Sequence, residues 1–251
     1  MRPARLTDRL AVVLVAHGSR DPRAAAATSA LAQAVRRARP AWDVHATYLD
    51  HAGPRPLDVL AALPGRSTVV VPLLLTKAYH GRVDIPALLA DAADLPVSVT
   101  LADVLGPAAS FPAPRFPSLL IDGLVRRLPA ERLDAVVLAA AGTRNAAARA
   151  TVEWAADALS ARLSLPCTVA YASAAPPLPG AAVDLLRASG ARRVGVAAYF
   201  LAPGYLYDLA ARSAREAGAV AVAEPLTDAP ELVRLVAARV DEATGRLRAA
   251  A

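Results

Sequence analysis

Two of the four histidines, His17 and His80, stand just after short apolar runs and just before segments of helical period. The first lies in Val12-Val13-Leu14-Val15-Ala16-His17-Gly18-Ser19-Arg20-Asp21-Pro22. The second lies in Pro72-Leu73-Leu74-Leu75-Thr76-Lys77-Ala78-Tyr79-His80-Gly81-Arg82-Val83-Asp84-Ile85-Pro86. A loop histidine taken alone is most often an ordinary exposed residue, but two at matching places in the topology point to a shared task. Neutral imidazole is a nitrogen donor for iron, cobalt, nickel and zinc, and two of them with a carboxylate leave coordination positions open for exchange. Such a set suits handling an ion better than storing it. Asp50, ending the run Tyr48-Leu49-Asp50-His51, is the nearest carboxylate by topology, with a turn role as the alternative. His51 is within reach of the same rim, though its direction is open, and His45 falls inside a strand. Asp21 and Asp84 precede helices that carry Pro22 and Pro86, which reads as N-capping.

Arg20, Lys77 and Arg82 flank the two histidines, and Arg144 takes the place of Arg20 further along. Guanidinium groups grip carboxylates through paired hydrogen bonds, so this basic rim would suit a substrate with several acid groups. Surface arginine is the alternative, because 27 of the 28 basic residues are arginine and Lys77 is the one lysine. Tyr79, Tyr199, Tyr205 and Tyr207 offer either flat faces for a planar ligand or packing.

The elements that must position these residues follow a βα alternation, the pattern of a parallel sheet with crossover helices. Strands are predicted at Leu10–Ala16, Asp43–Leu49, Thr68–Leu75 and Val97–Leu101. Helices are predicted from Pro22 to the stop at Pro40, and over Pro56–Leu63, Ile85–Ala93 and Ser118–Leu128. The proline-dense stretch Gly106 to Pro117 reads as a connector. The pattern then begins again. Val136 to Asn145 echoes Val12 to Asp21 at an offset of 124 residues, and Ala197 to Leu201 echoes Val71 to Leu75 at 126. The reading is α/β, with two similar halves, 1–129 and 130–251, each a mainly four-stranded parallel sheet flanked by helices, facing across a cleft. The halves differ in chemistry, because His17 becomes Ala141 and His80 aligns near Leu206. In an open parallel sheet, ligands bind beyond the carboxyl ends of the strands, where both histidines are placed.

The 251 residues carry 28 Lys+Arg against 22 Asp+Glu, a net charge of +6, with 55% apolar and 4% aromatic residues. No window approaches the ~20 uninterrupted apolar residues of a bilayer span, and no basic block or aromatic platform marks a nucleic-acid binder. The apolar run after the first arginines is short and passes straight into His17, with no cleavage site, so it reads as a strand and not an export signal. One cysteine, Cys167, excludes an intrachain disulfide framework. The expectation is a cytoplasmic protein without nucleic-acid or membrane partners.

The strand ending in His17-Gly18-Ser19-Arg20-Asp21-Pro22, and still more the passage from Pro72 through His80 to Pro86, resembles the class II sirohydrochlorin chelatases in their two-domain, single-chain form. The resemblance spans most of the chain. It implies a lyase that inserts a divalent metal, Fe2+ or Co2+ or also Ni2+, into a sirohydrochlorin-like tetrapyrrole in siroheme or cobalamin biosynthesis. The metal is then a substrate, with no permanent cofactor, and the chain a monomer of two pseudo-symmetric halves. His17 and His80 become the metal-handling pair, Asp50 a third metal ligand, and Arg20, Lys77, Arg82 and Arg144 partners of the substrate carboxylates. Two departures stand out: Ala78 and Asp50 occupy positions where the family commonly has glycine and glutamate. A metal or tetrapyrrole carrier is the non-catalytic alternative. A phosphoester hydrolase with His17 as nucleophile is a weaker one, since Ala16 stands where such enzymes place an arginine.

Overall fold

The computed structural model of the chain describes residues 9–76, 84–107, 117–129 and 132–250, without the side chains of 247–250. Lys77, Tyr79, His80 and Arg82 lie outside the described residues, and so does most of the proline-dense connector. The elements are β1 (Leu10–Ala16), α1 (Pro22–Ala38), β2 (Trp42–Tyr48), α2 (Pro56–Ala61), β3 (Ser67–Pro72), α3 (Asp84–Ala92), β4 (Ser98–Leu101) and α4 (Ser118–Arg127). They continue as β5 (Ala135–Ala140), α5 (Ala146–Leu163), β6 (Cys167–Tyr171), α6 (Pro179–Ala188), β7 (Val194–Tyr199), α7 (Tyr205–Glu216), β8 (Ala221–Val222) and α8 (Pro230–Ala250).

Two four-stranded sheets result, ordered β2-β1-β3-β4 and β6-β5-β7-β8. Every strand pair is parallel. The α/β class and the duplicated sheet are as the sequence pattern required. Central strands of a parallel sheet are covered by helices on both faces, which is why β1 and β5 read as unbroken apolar runs. Residues 11–15 and 135–140 are buried throughout. In the first sheet Ala11, Val13, Val15 and Val70 pack with Leu60 of α2 and Ile85, Leu88 and Ala92 of α3. In the second, Val137, Ala139, Val196 and Ala198 pack with Ala182, Val183 and Leu186 of α6 and Ala210, Ala211 and Ala214 of α7.

Contacts divide the chain into unit 1, residues 1–108 with 232–251, and unit 2, residues 109–231. The expected division after residue 129 followed the sequence repeat, whereas this one follows packing, so each unit holds a helix from beyond the repeat boundary. In unit 1, Arg239 of α8 donates to the carbonyls of Val104 and Gly106, at 2.9 and 3.2 Å, and Arg246 meets Asp103 at 2.9 Å. In unit 2, Arg126 of α4 meets both oxygens of the buried Glu231 at 2.9 Å.

Cys167 opens β6 and is desolvated enough that its thiol is pushed up to about 12. A thiol with that value has almost no thiolate near neutral pH and is a poor nucleophile and ligand. With a disulfide-exchange dye at pH 7.5, native protein should react at least ~100-fold more slowly than denatured protein. Equal rates would show that Cys167 is accessible.

Candidate active site at the carboxyl ends of β1 and β2

The parallel ladder between β1 and β2 runs on past the strand ends. Ala16 pairs with Tyr48, then the Leu49 N–H donates to the Ala16 carbonyl at 3.0 Å and the Asp50 N–H to the His17 carbonyl at 2.8 Å. Those two bonds carry His17 and Asp50 out of the sheet side by side, and both are exposed. Gly18 has a φ of +96°, and a Cβ there would overlap the Asp50 carbonyl oxygen, so only glycine lets the two loops touch. Beyond it, the Ser19 hydroxyl accepts from the Asp21 N–H at 3.0 Å, and Asp21 accepts from the Arg23 N–H at 2.9 Å ahead of Pro22. Asp21 is therefore the N-cap its position predicted. Asp84 differs from that expectation, lying within the first turn of α3.

His51, whose direction the sequence left open, joins the group. Its ring stands 6.5 Å from that of His17, edge to face at 85°. Its Nε2 is 3.4 Å from Asp50 Oδ2, and its backbone N–H donates to Asp50 Oδ1 at 2.8 Å. That N–H bond is the largest influence holding the Asp50 carboxyl below its usual range; partial desolvation opposes it, and His51, Arg55 and His17 add to it. Asp50 is thus an anion at neutral pH and well below. The Arg55 guanidinium donates to the Leu49 carbonyl and stands 3.8 Å from Asp50 Oδ1.

A cavity of about 600 Å³ opens beside His17 and Asp50, walled by α2 and α3 and lined in part by Arg55, Asp58, Asp84 and Asp91. Its carboxylates outnumber its cations among the described residues, a polarity the basic-rim expectation did not anticipate. Of that rim, Arg20 and Arg144 are described, and each is exposed at the same place in its own unit. Lys77, Arg82 and His80 lie outside the described residues, so of the expected histidine pair the structure places His17. Among the described residues no group of three His, Cys, Asp or Glu side chains is arranged to hold a metal ion. His45 is apart from this site, in β2, 3.1 Å from Asp43, which Arg66 also grips at 2.6 Å. Tyr199 and Tyr207 are buried, the latter donating to the Ala223 carbonyl at 3.1 Å, while Tyr205 is 75% exposed.

Unit 2 repeats the loop frame without the chemistry. Gly142 has a φ of +98°, and a Cβ there would overlap the Ser173 carbonyl oxygen. The Ser173 N–H donates to the Ala141 carbonyl at 3.1 Å, and the Thr143 hydroxyl accepts from the Asn145 N–H at 3.1 Å. His17, Asp50 and His51 are matched there by Ala141, Ser173 and Ala174.

Comparison with known proteins agrees with this duplication. The CbiX family model matches residues 11–113 and again 135–243. Among solved structures, SirB from Bacillus subtilis with Fe3+ is 19% identical, covering 94% of this chain and 95% of that one at a TM-score of 0.76. CbiX, the terminal enzyme for biosynthesis of siroheme in denitrifying bacteria, is 20% identical, covering 94% and 99% at a TM-score of 0.62. A multi-domain protein from Deinococcus radiodurans with structural similarity to chelatases is 21% identical, covering 92% of this chain and 55% of that one at a TM-score of 0.71. At these identities the likeness is one of fold. No curated protein sequence matches. Among the described residues no helix is long and apolar enough to cross a membrane.

Proposed function

Because the chain belongs to the CbiX family, matching it over both repeats, we propose that it is a chelatase that inserts a divalent metal ion into a sirohydrochlorin-like tetrapyrrole. Fe2+ and Co2+ are the proposed ions, with Ni2+ a further candidate, in siroheme or cobalamin biosynthesis. The observation that carries the reading is that His17 and an ionised Asp50 emerge together at the carboxyl ends of β1 and β2, beside a cavity of about 600 Å³.

Metal insertion requires that the ion shed water, that the macrocycle distort until its nitrogen lone pairs leave the ring plane, and that two ring N–H protons depart. Imidazole serves the first and last of these tasks near neutral pH, as ligand or as base. We assign His17 and His80 to them as a pair, one taking the incoming ion and the other accepting the two ring protons in turn and passing each to solvent. Few protein donors are an advantage here, because a closed ligand set would hold the ion back from the ring. Asp50 lends negative charge beside the ion. Arg20, Lys77, Arg82 and Arg144 pair with the carboxylates of the substrate.

Anaerobic mixing of the protein with sirohydrochlorin and Fe2+, Co2+ or Ni2+, followed by the absorption of the macrocycle, tests the proposal. An enzyme converts many equivalents at a rate well above background. Conversion that stops at one equivalent per chain would make it a carrier, and conversion at the background rate would overturn the chelatase reading.

A further inference from the structure

We infer that His51 is a positioning residue of the unit 1 site, fixing the Asp50 carboxylate beside His17. The inference deepens the chelatase reading and rests on it.

In extended chain, neighbouring side chains leave on opposite sides. A histidine directly after Asp50 would then turn its ring away from the carboxylate. The chain avoids this with a three-residue turn, in which the Ala52 N–H donates to the Asp50 carbonyl at 2.7 Å around His51 at a φ of +61°. The ring thereby comes back, with Nε2 at 3.4 Å from Oδ2 while the N–H of the same residue binds Oδ1 at 2.8 Å. Both carboxylate oxygens of Asp50 are thus met by one residue. Without these contacts the Asp50 side chain, 52% exposed, would keep the Arg55 guanidinium at 3.8 Å from Oδ1, too distant to select one rotamer.

Unit 2 separates the turn from the ring. There the Ala175 N–H donates to the Ser173 carbonyl at 2.8 Å around Ala174 at a φ of +64°. A left-handed conformation costs a residue other than glycine about 1–2 kcal/mol, and both units bear that cost, so the turn forms without any histidine. The Ser173 hydroxyl donates back to the Ala141 carbonyl at 2.8 Å. Asp50 directs its oxygens to His51 instead. The imidazole at 51 is an addition to a frame that stands without it, and what it touches is the carboxylate next to His17.

Co2+ is the probe, with two readouts: calorimetric binding of the ion alone, and anaerobic insertion into sirohydrochlorin with kcat and KM for the ion measured separately. His51→Ala is expected to raise Kd and KM for Co2+ by about tenfold or more, the usual effect of losing a partner that orients a ligand, with kcat changed less than threefold. His51→Gln, whose side-chain amide can donate to the same oxygen, should recover most of the loss. In an Asp50→Ala background His51→Ala should add nothing, since it acts through that carboxylate. His51→Ala matching the parent in Kd and KM would overturn the inference while leaving the chelatase reading intact, provided the parent turns over. So would His51→Gln behaving as the alanine variant. A parent that binds Co2+ with the expected His51 dependence but inserts none of Co2+, Fe2+ and Ni2+ would overturn the chelatase reading and leave His51 as the residue that positions Asp50. A parent that binds no Co2+ and inserts none of the three ions would overturn both.

Discussion

Replacing His17 with alanine is expected to lower the rate of metal insertion by about 10²- to 10⁴-fold, the range for loss of a general acid–base group, while the far-ultraviolet circular dichroism and the melting curve stay close to the parent. The separation of the two effects has a structural basis. The backbone bond that matters at this position, from the Asp50 N–H to the His17 carbonyl, uses no side-chain atom. Unit 2 already contains the alanine version: Ala141 follows β5 and its carbonyl accepts from the Ser173 N–H in the same way. The imidazole is exposed and lies beyond the buried run of β1, residues 11–15. His80→Ala should cause a loss of similar size if the two rings share the work, one on the ion and one on the ring protons. Full activity in either variant, with folding confirmed, would remove that residue from the mechanism.

The parts of this site that local pattern encodes are legible in the sequence. The apolar run Leu10–Ala16, the cap at Asp21 followed by Pro22, and the repeat of both around Asn145 all follow from rules that act within a few residues. What escaped depends on contacts far apart in sequence or on the sign of one dihedral. The third strand was expected to reach Leu75 but ends at Pro72, because the Leu74 N–H turns back to the Pro72 carbonyl while the Leu74 carbonyl takes the N–H groups of Leu105 and Gly106. No hydropathy period reports that turn. The place of His51 depends on a positive φ, which a histidine does not advertise, although the alanine at the matching turn in unit 2 adopts it too. The acidic lining of the cavity needed α2 and α3 brought together before Asp58 and Asp91 could face one space. The packing of α8 with unit 1 is held by arginine contacts such as Arg239 to Val104, 135 residues apart, invisible to any window of sequence.

Gly18→Ala should be strongly damaging to unit 1, and its cost can be dissected within the molecule. Two penalties combine there: a φ of +96°, and a Cβ that would overlap the Asp50 carbonyl oxygen. Gly65, also in unit 1, has a φ of +71° with nothing within 4 Å of an added Cβ. Gly65→Ala is therefore expected to lose only the conformational part, about 1–2 kcal/mol. Gly18→Ala should lose about 3–5 kcal/mol, because backbone, unlike a side-chain tip, must move to relieve the overlap. Unit 2 provides a better-matched pair, Gly142 at +98° against the Ser173 carbonyl and Gly190 at +101° in open space, and the same ordering should hold. Urea midpoints of the four variants measure it. Activity per folded molecule then separates the units. The methyl at 18 drives Asp50 and His51 away from His17 and should lower kcat for insertion at least tenfold even where the protein remains folded, whereas the methyl at 142 displaces a loop that holds Arg144 but no histidine, so its effect should fall on the KM for the tetrapyrrole. Equal loss of kcat at saturating tetrapyrrole from Gly18→Ala and Gly142→Ala at equal folded fraction would mean that the chemistry is not confined to unit 1, and the assignment of His17 as its centre would have to be given up.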